Sequence, residues 1–142
     1  MENRQFHTSF SKKVWETFKA HLRPGPIQML NLIRLREQAE YSDGRASTGA
    51  EAYSAYSDLS APVFQALGGK IIWRGGHELT MVGPQSETWD IAFVAEYPSV
   101  QVFLNMMRNE TYRDAMRHRQ ASVLDSRLVR FASRDNGLSF AD

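Results

Sequence analysis

Residues 89–119 constrain the fold more than any other part of the sequence. From Trp89 to Tyr97 the residues on both alternating faces are apolar at the centre, which is typical of a strand covered on two sides. Pro98 cannot extend a strand ladder, and Ser99 is a favourable helix N-cap. Asn109 predicts a second helix start, so we expect a buried strand followed by a helix in two pieces. The apolar residues of the first helical piece recur at helical spacing: Val100, Phe103, Leu104 and Met107.

The remaining segments supply the other elements of an α+β domain. Pro62 lies within a helical pattern and predicts a kink or a restart there. Gly75-Gly76 ends a strand, and an additional strand arm is predicted at 77–82. In order, the sequence predicts a helix at 8–22, a strand at 27–36, a loop at 37–49, a helix at 50–67, strands at 70–74 and 89–97, helices over 99–119 and a last strand at 121–132, bent near Asp125-Ser126.

After the N-terminal helix, these elements follow the order βαββαβ, which is the split-βαβ pattern of ferredoxin-like domains. We predict an N-terminal helical extension at 1–25, a ferredoxin-like domain with an antiparallel sheet at 26–134, and a tail at 135–142. Both domain helices should cover one face of the sheet. Because the strand at 89–97 is apolar on both faces, the second face also needs cover. A second copy of the sheet is the simplest cover, so we predict a homodimer that forms a dimeric α/β barrel.

Composition and charge argue against several classes of protein. No apolar run is long enough to cross a bilayer, and the chain has no cysteine, so a cytoplasmic location without disulfides is the expectation. Residues 37–100 carry nine acids against three bases, whereas residues 108–134 carry seven arginines against three acids. These arginines alternate with acids at helical spacing without clustered aromatics, so we predict a solvated face and no nucleic-acid partner. For the amphipathic helix at 8–22, docking is favoured over membrane binding.

Polar residues within apolar patterns are the candidates for a site. Asn31 interrupts an apolar strand, and its amide needs either a structural hydrogen bond or a ligand. Glu96 is the best carboxylate for acid–base chemistry, with an ion pair to Arg119 as the structural alternative. His77 is the best candidate base, although a histidine near a hairpin tip is ordinarily just exposed. We predict Glu96 and His77 as catalytic residues. The predicted ligand-binding residues are Asn31, Tyr56, Trp73 and Arg119.

No metal or cofactor site is predicted. The four histidines show no metal-ligand spacing on one helix, and neither H-E-x-x-H nor any cysteine ligand occurs. The paired glycines flank a strand without a following helix, so no phosphate loop is expected. A serine nucleophile has no G-x-S-x-G context. Any reaction would therefore be cofactor-independent.

The chain resembles the family called domain of unknown function 1330, within the dimeric α/β-barrel superfamily. The resemblance covers roughly residues 26–132. It implies a ferredoxin-like protomer and a dimer whose two sheets face each other, with the helix at 8–22 as an addition, but it implies no chemistry. The residues that carry it are Met29-Leu30-Asn31-Leu32, Tyr56, Pro62, Gly68-Gly69-Lys70, Trp89-Asp90, Glu96-Tyr97-Pro98-Ser99, Phe103, Tyr112, Arg119 and Asp125-Ser126.

Two functions follow from these observations. The first is a small-molecule site between sheet and helices, with cofactor-independent proton transfer or oxygenation as the reaction if the protein is an enzyme. The second is a non-catalytic dimeric binding or accessory module, favoured by the lack of catalytic motifs. The first function is motivated by Asn31 and Glu96 in apolar strands, and it is slightly favoured because dimeric barrels of this kind tend to enclose a site.

Overall fold

The computed structural model describes residues 5–141 as a four-stranded antiparallel sheet with helices against one face. The sheet order is β2-β3-β1-β4, with every neighbouring pair antiparallel. This order and the βαββαβ sequence of elements define the ferredoxin-like fold, as predicted. The elements are α1 (Lys12–Ala20), β1 (Ile27–Leu35), α2 (Gly49–Ala66), β2 (Lys70–Gly75), β3 (Ile91–Tyr97), α3 (Val100–Arg108), α4 (Glu110–Ser122) and β4 (Val123–Phe131).

The helix termini follow the local signals in the sequence. The Ser99 hydroxyl accepts a hydrogen bond from the backbone N–H of Val102 at 3.1 Å and begins α3. The Asn109 side chain accepts from the N–H of Tyr112 at 3.0 Å and begins α4, which confirms the helix in two pieces. Such side-chain caps satisfy backbone donors that the first turn leaves unpaired.

Three predicted elements differ from the observed ones. The segment 77–82 is not a strand, because β2 ends at Gly75 opposite Ala92, near the start of β3, and no length of β3 remains to pair with it. Helix α2 continues through Pro62 without a restart, and Pro62 lies on its exposed side. The last strand begins at Val123 because α4 continues to Ser122.

The two faces of the sheet have different surroundings. The helix face carries Met29, Asn31, Phe93, Ala95 and Leu128, and most of these pack with residues of α2, α3 and α4. The opposite face, called the open face below, has no helix packed against it in the core cluster. The open face includes Gln28, Leu30, Leu32, Lys70, Trp73, Ala92, Val94, Glu96, Arg127, Val129 and Phe131.

Helix α1 docks on the domain, as predicted, although it spans 12–20 rather than 8–22. Phe18 contacts Phe103 of α3, with ring centroids 5.0 Å apart, and Arg130 of β4 lies over the Phe18 ring. Arg130 also donates a hydrogen bond to the carbonyl oxygen of His21 at 3.0 Å. No helix in residues 5–141 is long and apolar enough to cross a membrane.

Candidate functional site

A largely apolar cavity of about 1160 Å³ lies between the helix face of the sheet and the helices. Strands β1 and β3 contribute Asn31, Ile91 and Phe93, and the N-terminal segment contributes residues 7–11 and Val14. Cavities of this kind, with apolar walls and a few polar groups, are typical of small-molecule sites. Further apolar lining residues are Phe64, Phe103, Met106, Met107, Met116 and Leu128.

Short side chains on α2 leave this volume unfilled. The helix presents residues to the cavity at spacings of three and four, which is one helical face. Half-buried Ala61 is one of them, whereas Ala66, also on α2, is exposed and lies outside the lining. The α2 residues that line the cavity are Ala50, Tyr53, Ser54, Tyr56, Ser57, Ser60, Ala61, Phe64 and Gln65.

Four tyrosines cluster at the cavity wall. The hydroxyl oxygens of Tyr56 and Tyr112 are 2.7 Å apart, and the rings of Tyr53 and Tyr56 lie at a centroid distance of 5.4 Å. Burial raises the pKa of Tyr53, Tyr97 and Tyr112, and the neighbouring Tyr56 adds to each of these increases. These three phenols therefore stay protonated near neutral pH and act as hydrogen-bond donors.

Asn31 has a local structural partner and also lines the cavity. Its amide nitrogen donates to the carbonyl oxygen of Met29, two residues earlier, at 3.0 Å. Within residues 5–141, its amide oxygen has no hydrogen-bond partner. Both possibilities raised by the sequence are therefore compatible with its position: one half of the amide is satisfied by its own strand, and the other half is free to accept a hydrogen bond.

The N-terminal segment closes one side of the cavity and is fixed by hydrogen bonds to β4 and α4. The backbone N–H of His7 donates to Asp125 at 2.9 Å, and the Ser126 hydroxyl donates to the carbonyl oxygen of His7 at 2.8 Å. Arg119 donates to the carbonyl oxygen of Thr8 at 3.1 Å. The predicted helix at 8–22 did not anticipate this arrangement, because α1 begins only at Lys12 and the preceding residues are fixed by long-range hydrogen bonds.

The six predicted site residues do not share one site. Asn31, Tyr56 and Arg119 line the cavity, whereas Glu96, Trp73 and His77 do not. Asn31 pairs with Phe93 on the helix face, but Glu96 pairs with Gln28, so strand alternation places it on the open face. Glu96 accepts a hydrogen bond from the Gln28 amide at 2.9 Å, and the alternative ion pair with Arg119 does not form.

Trp73 and His77 lie outside the cavity for different reasons. Trp73 is opposite Val94 on the open face and is 52% exposed. His77 lies in the connection after β2, where its ring nitrogen is 2.9 Å from the Thr80 hydroxyl. The expectation that these residues line the same pocket as Asn31 is corrected accordingly. Within residues 5–141, no three His, Asp or Glu side chains are grouped as metal ligands.

Comparison with known proteins identifies the family. Residues 45–131, more than half of the chain, match the domain of unknown function DUF1330. The chain belongs to the DUF1330 family. The match begins after β1, so Asn31 lies before the matched range, whereas Tyr56 and Arg119 lie within it. No protein of curated function matches the chain.

Two crystal structures are similar over nearly the whole chain. One is a protein of unknown function from Rhodopseudomonas palustris, with 52% identity and a TM-score of 0.90 over 93% of this chain and 100% of that one. The methylated form of that protein gives 53% identity and a TM-score of 0.92 over 93% of this chain and 98% of that one. The uncovered 7% of 142 residues is about ten residues, so part of the extension at 1–25 has a counterpart there.

A more distant structure is a dimeric protein of unknown function and ferredoxin-like fold from Bacteroides fragilis. It is 12% identical, with a TM-score of 0.47 over 75% of this chain and 94% of that one. At this distance it bears on neither assembly nor function. The chemistry of the DUF1330 chain has to be inferred from its own cavity.

Proposed function

We propose that the chain binds a small, largely apolar organic molecule in the cavity between sheet and helices, and that it acts as a homodimer in the cytoplasm. The cavity itself carries this proposal, because about 1160 Å³ of apolar space with a few polar groups at its wall is the usual form of a ligand site. Asn31, Tyr56 and Arg119 are the ligand-binding residues of the proposal, joined by Tyr53 and Tyr112.

A binding function is better supported than a catalytic function in which a carboxylate is the acid or base. The described residues that line the cavity include neither Asp nor Glu, and Glu96 lies on the open face. For a cofactor-independent proton transfer or oxygenation, the lining offers His7, the tyrosine hydroxyls and Asn31. Such an enzyme and a non-catalytic binding module would share the same ligand site, so the site is tested first.

A neutral apolar fluorophore, N-phenyl-1-naphthylamine, provides the test. We expect it to bind with one site per protomer and with increased fluorescence. The variant Ala61→Phe places a phenyl ring in the cavity beside α2 and should weaken binding by about tenfold or more, since the ring competes with the probe for that space. Ala66→Phe on the same helix is the matched control and should bind as the wild type does. Equal binding by both variants would show that the probe occupies another surface, and the proposal would fail.

The homodimer is supported by the open face. Several large apolar side chains on this face are exposed: Trp73 is 52%, Val129 43% and Phe131 52% accessible. Leu30, Leu32 and Val94 lie beside them in the paired strands and extend the apolar surface across the sheet. An apolar surface of this kind marks an association site on a soluble domain. A second copy meeting it sheet to sheet would give the dimeric α/β barrel expected from the sequence.

A further inference from the structure

The charged side chains at the cavity are all of one sign. Among the residues that the structure describes, the lining includes Lys70, Arg74, Arg119 and Arg127 and neither Asp nor Glu. Lys70 pairs with Glu96 and Arg127 pairs with Leu32, so strand alternation directs these two side chains to the open face and leaves Arg74 and Arg119 as the cations of the cavity. Cavity walls with charge of one sign concentrate ligands of the opposite sign, since apolar walls screen the field less than water does. The cavity is therefore suited to an anion rather than a cation.

Arg119 is the cation best placed to contact such an anion. Arg127 is already neutralised, because it lies 2.8 Å from Asp125 and 2.6 Å from Glu87. Arg119 is half-buried, and within residues 5–141 it forms no ion pair. Its one hydrogen bond, to the Thr8 carbonyl oxygen, uses a single N–H of the five that a guanidinium carries. The other N–H groups of this guanidinium form no further hydrogen bond among residues 5–141 and can donate to a ligand.

The neighbours of Arg119 add hydrogen-bond donors and an aromatic surface. Its positive charge lies close enough to Tyr53 and Tyr112 to oppose the rise in their pKa that burial causes. On α4, Tyr112, Met116 and Arg119 line the cavity together at helical spacing. An anion at Arg119 would therefore meet protonated phenols, while the apolar body of the ligand would meet Met116 and the aromatic walls.

We propose that the ligand is an organic carboxylate with a flat apolar body, and that Arg119 binds its carboxylate. This inference rests on the proposed function and narrows its ligand class. A guanidinium matches a carboxylate through two parallel N–H donors, which gives both affinity and orientation. The space beside Arg119 receives the apolar part of the ligand.

The test uses three ligands of matched structure at neutral pH, with binding measured by calorimetry. 2-Naphthoate carries both the apolar body and the carboxylate, 2-naphthamide carries the same body without charge, and acetate carries the charge alone. We expect naphthoate to bind the wild type at least about tenfold more tightly than naphthamide, as hydrogen bonds to charged groups imply. Acetate should bind weakly, because it lacks the apolar body.

Variants of Arg119 test whether this residue causes the preference for naphthoate over naphthamide. Arg119→Gln should remove most of the preference for naphthoate over naphthamide, because it weakens naphthoate binding much more than naphthamide binding. Arg119→Lys keeps the charge but loses the forked donors, so it should keep part of the preference. Arg117→Gln is the matched control, since Arg117 lies on the same helix but is exposed and faces Asp114. It should bind all three ligands as the wild type does.

The outcomes separate this inference from the proposed function. If the wild type binds naphthamide as tightly as naphthoate, and Ala61→Phe weakens both, the cavity site stands and the carboxylate assignment is wrong. If Arg119→Gln weakens both ligands equally, Arg119 acts only by fixing the N-terminal segment through Thr8, and the assignment is again wrong. If neither naphthalene ligand binds the wild type, the proposed function fails and the carboxylate assignment fails with it.

Discussion

Asp125 is a fully buried carboxylate that fixes the N-terminal segment at the edge of the cavity. It accepts hydrogen bonds from the backbone N–H groups of His7 and Ser126 and from the Arg127 guanidinium. Burial alone would raise the pKa of Asp125, but these hydrogen bonds and the charge of Arg127 outweigh burial and lower it. The charged form therefore stabilises the folded state.

We predict that Asp125→Asn lowers the free energy of unfolding by about 1.5–3 kcal/mol at pH 7, because the hydrogen bonds lose their charged acceptor. The folded-state pKa lies below the unfolded value, so the stabilisation is present above about pH 4 and is lost as pH falls through the folded-state pKa. Urea unfolding should therefore show a difference in the free energy of unfolding between variant and wild type that is smaller at pH 3 than at pH 7. A difference that is the same at both pH values would contradict this explanation.

The exposed carboxylate Asp114 provides the control for that measurement. It lies 3.4 Å from Arg117, and both side chains are more than half exposed. Exposed ion pairs contribute little, so Asp114→Asn should change the free energy of unfolding by less than about 1 kcal/mol.

The residue-scale predictions from the sequence were limited by strand register. The alternation within β1 and within β3 could be read directly, so Asn31 and Glu96 were each recognised as polar residues in apolar strands. Whether they share a face depends on the pairing between the strands, and a shift of one residue reverses the answer. The observed pairing of Asn31 with Phe93 places Glu96 on the other face.

At the scale of elements, Gly49 sets how closely α2 approaches the end of β1. A Cβ atom at Gly49 would overlap the backbone carbonyl oxygen of Arg36, which cannot move without disturbing β1. Thr48 and Glu51 form a capping box at the same helix end. Together these contacts place the face of α2 that lines the cavity.

We predict that Gly49→Ala lowers the free energy of unfolding by about 2–3 kcal/mol or more, because the overlap is with backbone rather than a flexible side chain. The displaced α2 should also weaken binding of N-phenyl-1-naphthylamine. Gly76→Ala is the control: a Cβ there meets nothing within 4 Å, so the change should stay within about 0.5 kcal/mol. Urea denaturation compares the Gly49→Ala and Gly76→Ala variants with the wild type. Equal stability of the two variants would refute the close approach at Gly49.

The sequence predicted the ends of elements well wherever they depend on hydrogen bonds between residues close together in the chain. Ser99 and Asn109 cap α3 and α4 as expected, because capping involves only the next turn. The segment 77–82 was predicted wrongly because a strand needs a partner, and the sequence does not show where β3 begins. In the structure, β3 is too short to pair with this segment.

At the scale of the whole molecule, the open face is the surface on which we propose that two copies meet. The sequence predicts that this face needs cover, because the strand at 89–97 is apolar on both sides. In the structure the helices of the core pack on the helix face of the sheet. The cavity was harder to predict, since its volume depends on short side chains of α2 and on the N-terminal segment lying across from them. Both features depend on how separate elements pack together, which the pattern of one element does not show.

We predict that the wild type sediments as a dimer at micromolar concentration and that Val129→Lys raises its dissociation constant by about tenfold or more. The variant places a charge on an apolar surface that should be buried between copies. Val82→Lys is the matched control, because Val82 is 95% exposed in the connection between β2 and β3. Sedimentation of the wild type as a monomer would rule out the dimeric barrel.

A crystal structure of the protein grown with saturating 2-naphthoate tests the central claim most directly. We predict density for the naphthalene ring between the helix face of the sheet and α2, with the carboxylate within about 3 Å of the Arg119 guanidinium. Density on the open face instead, or a cavity left empty at saturating ligand, would contradict the proposed site.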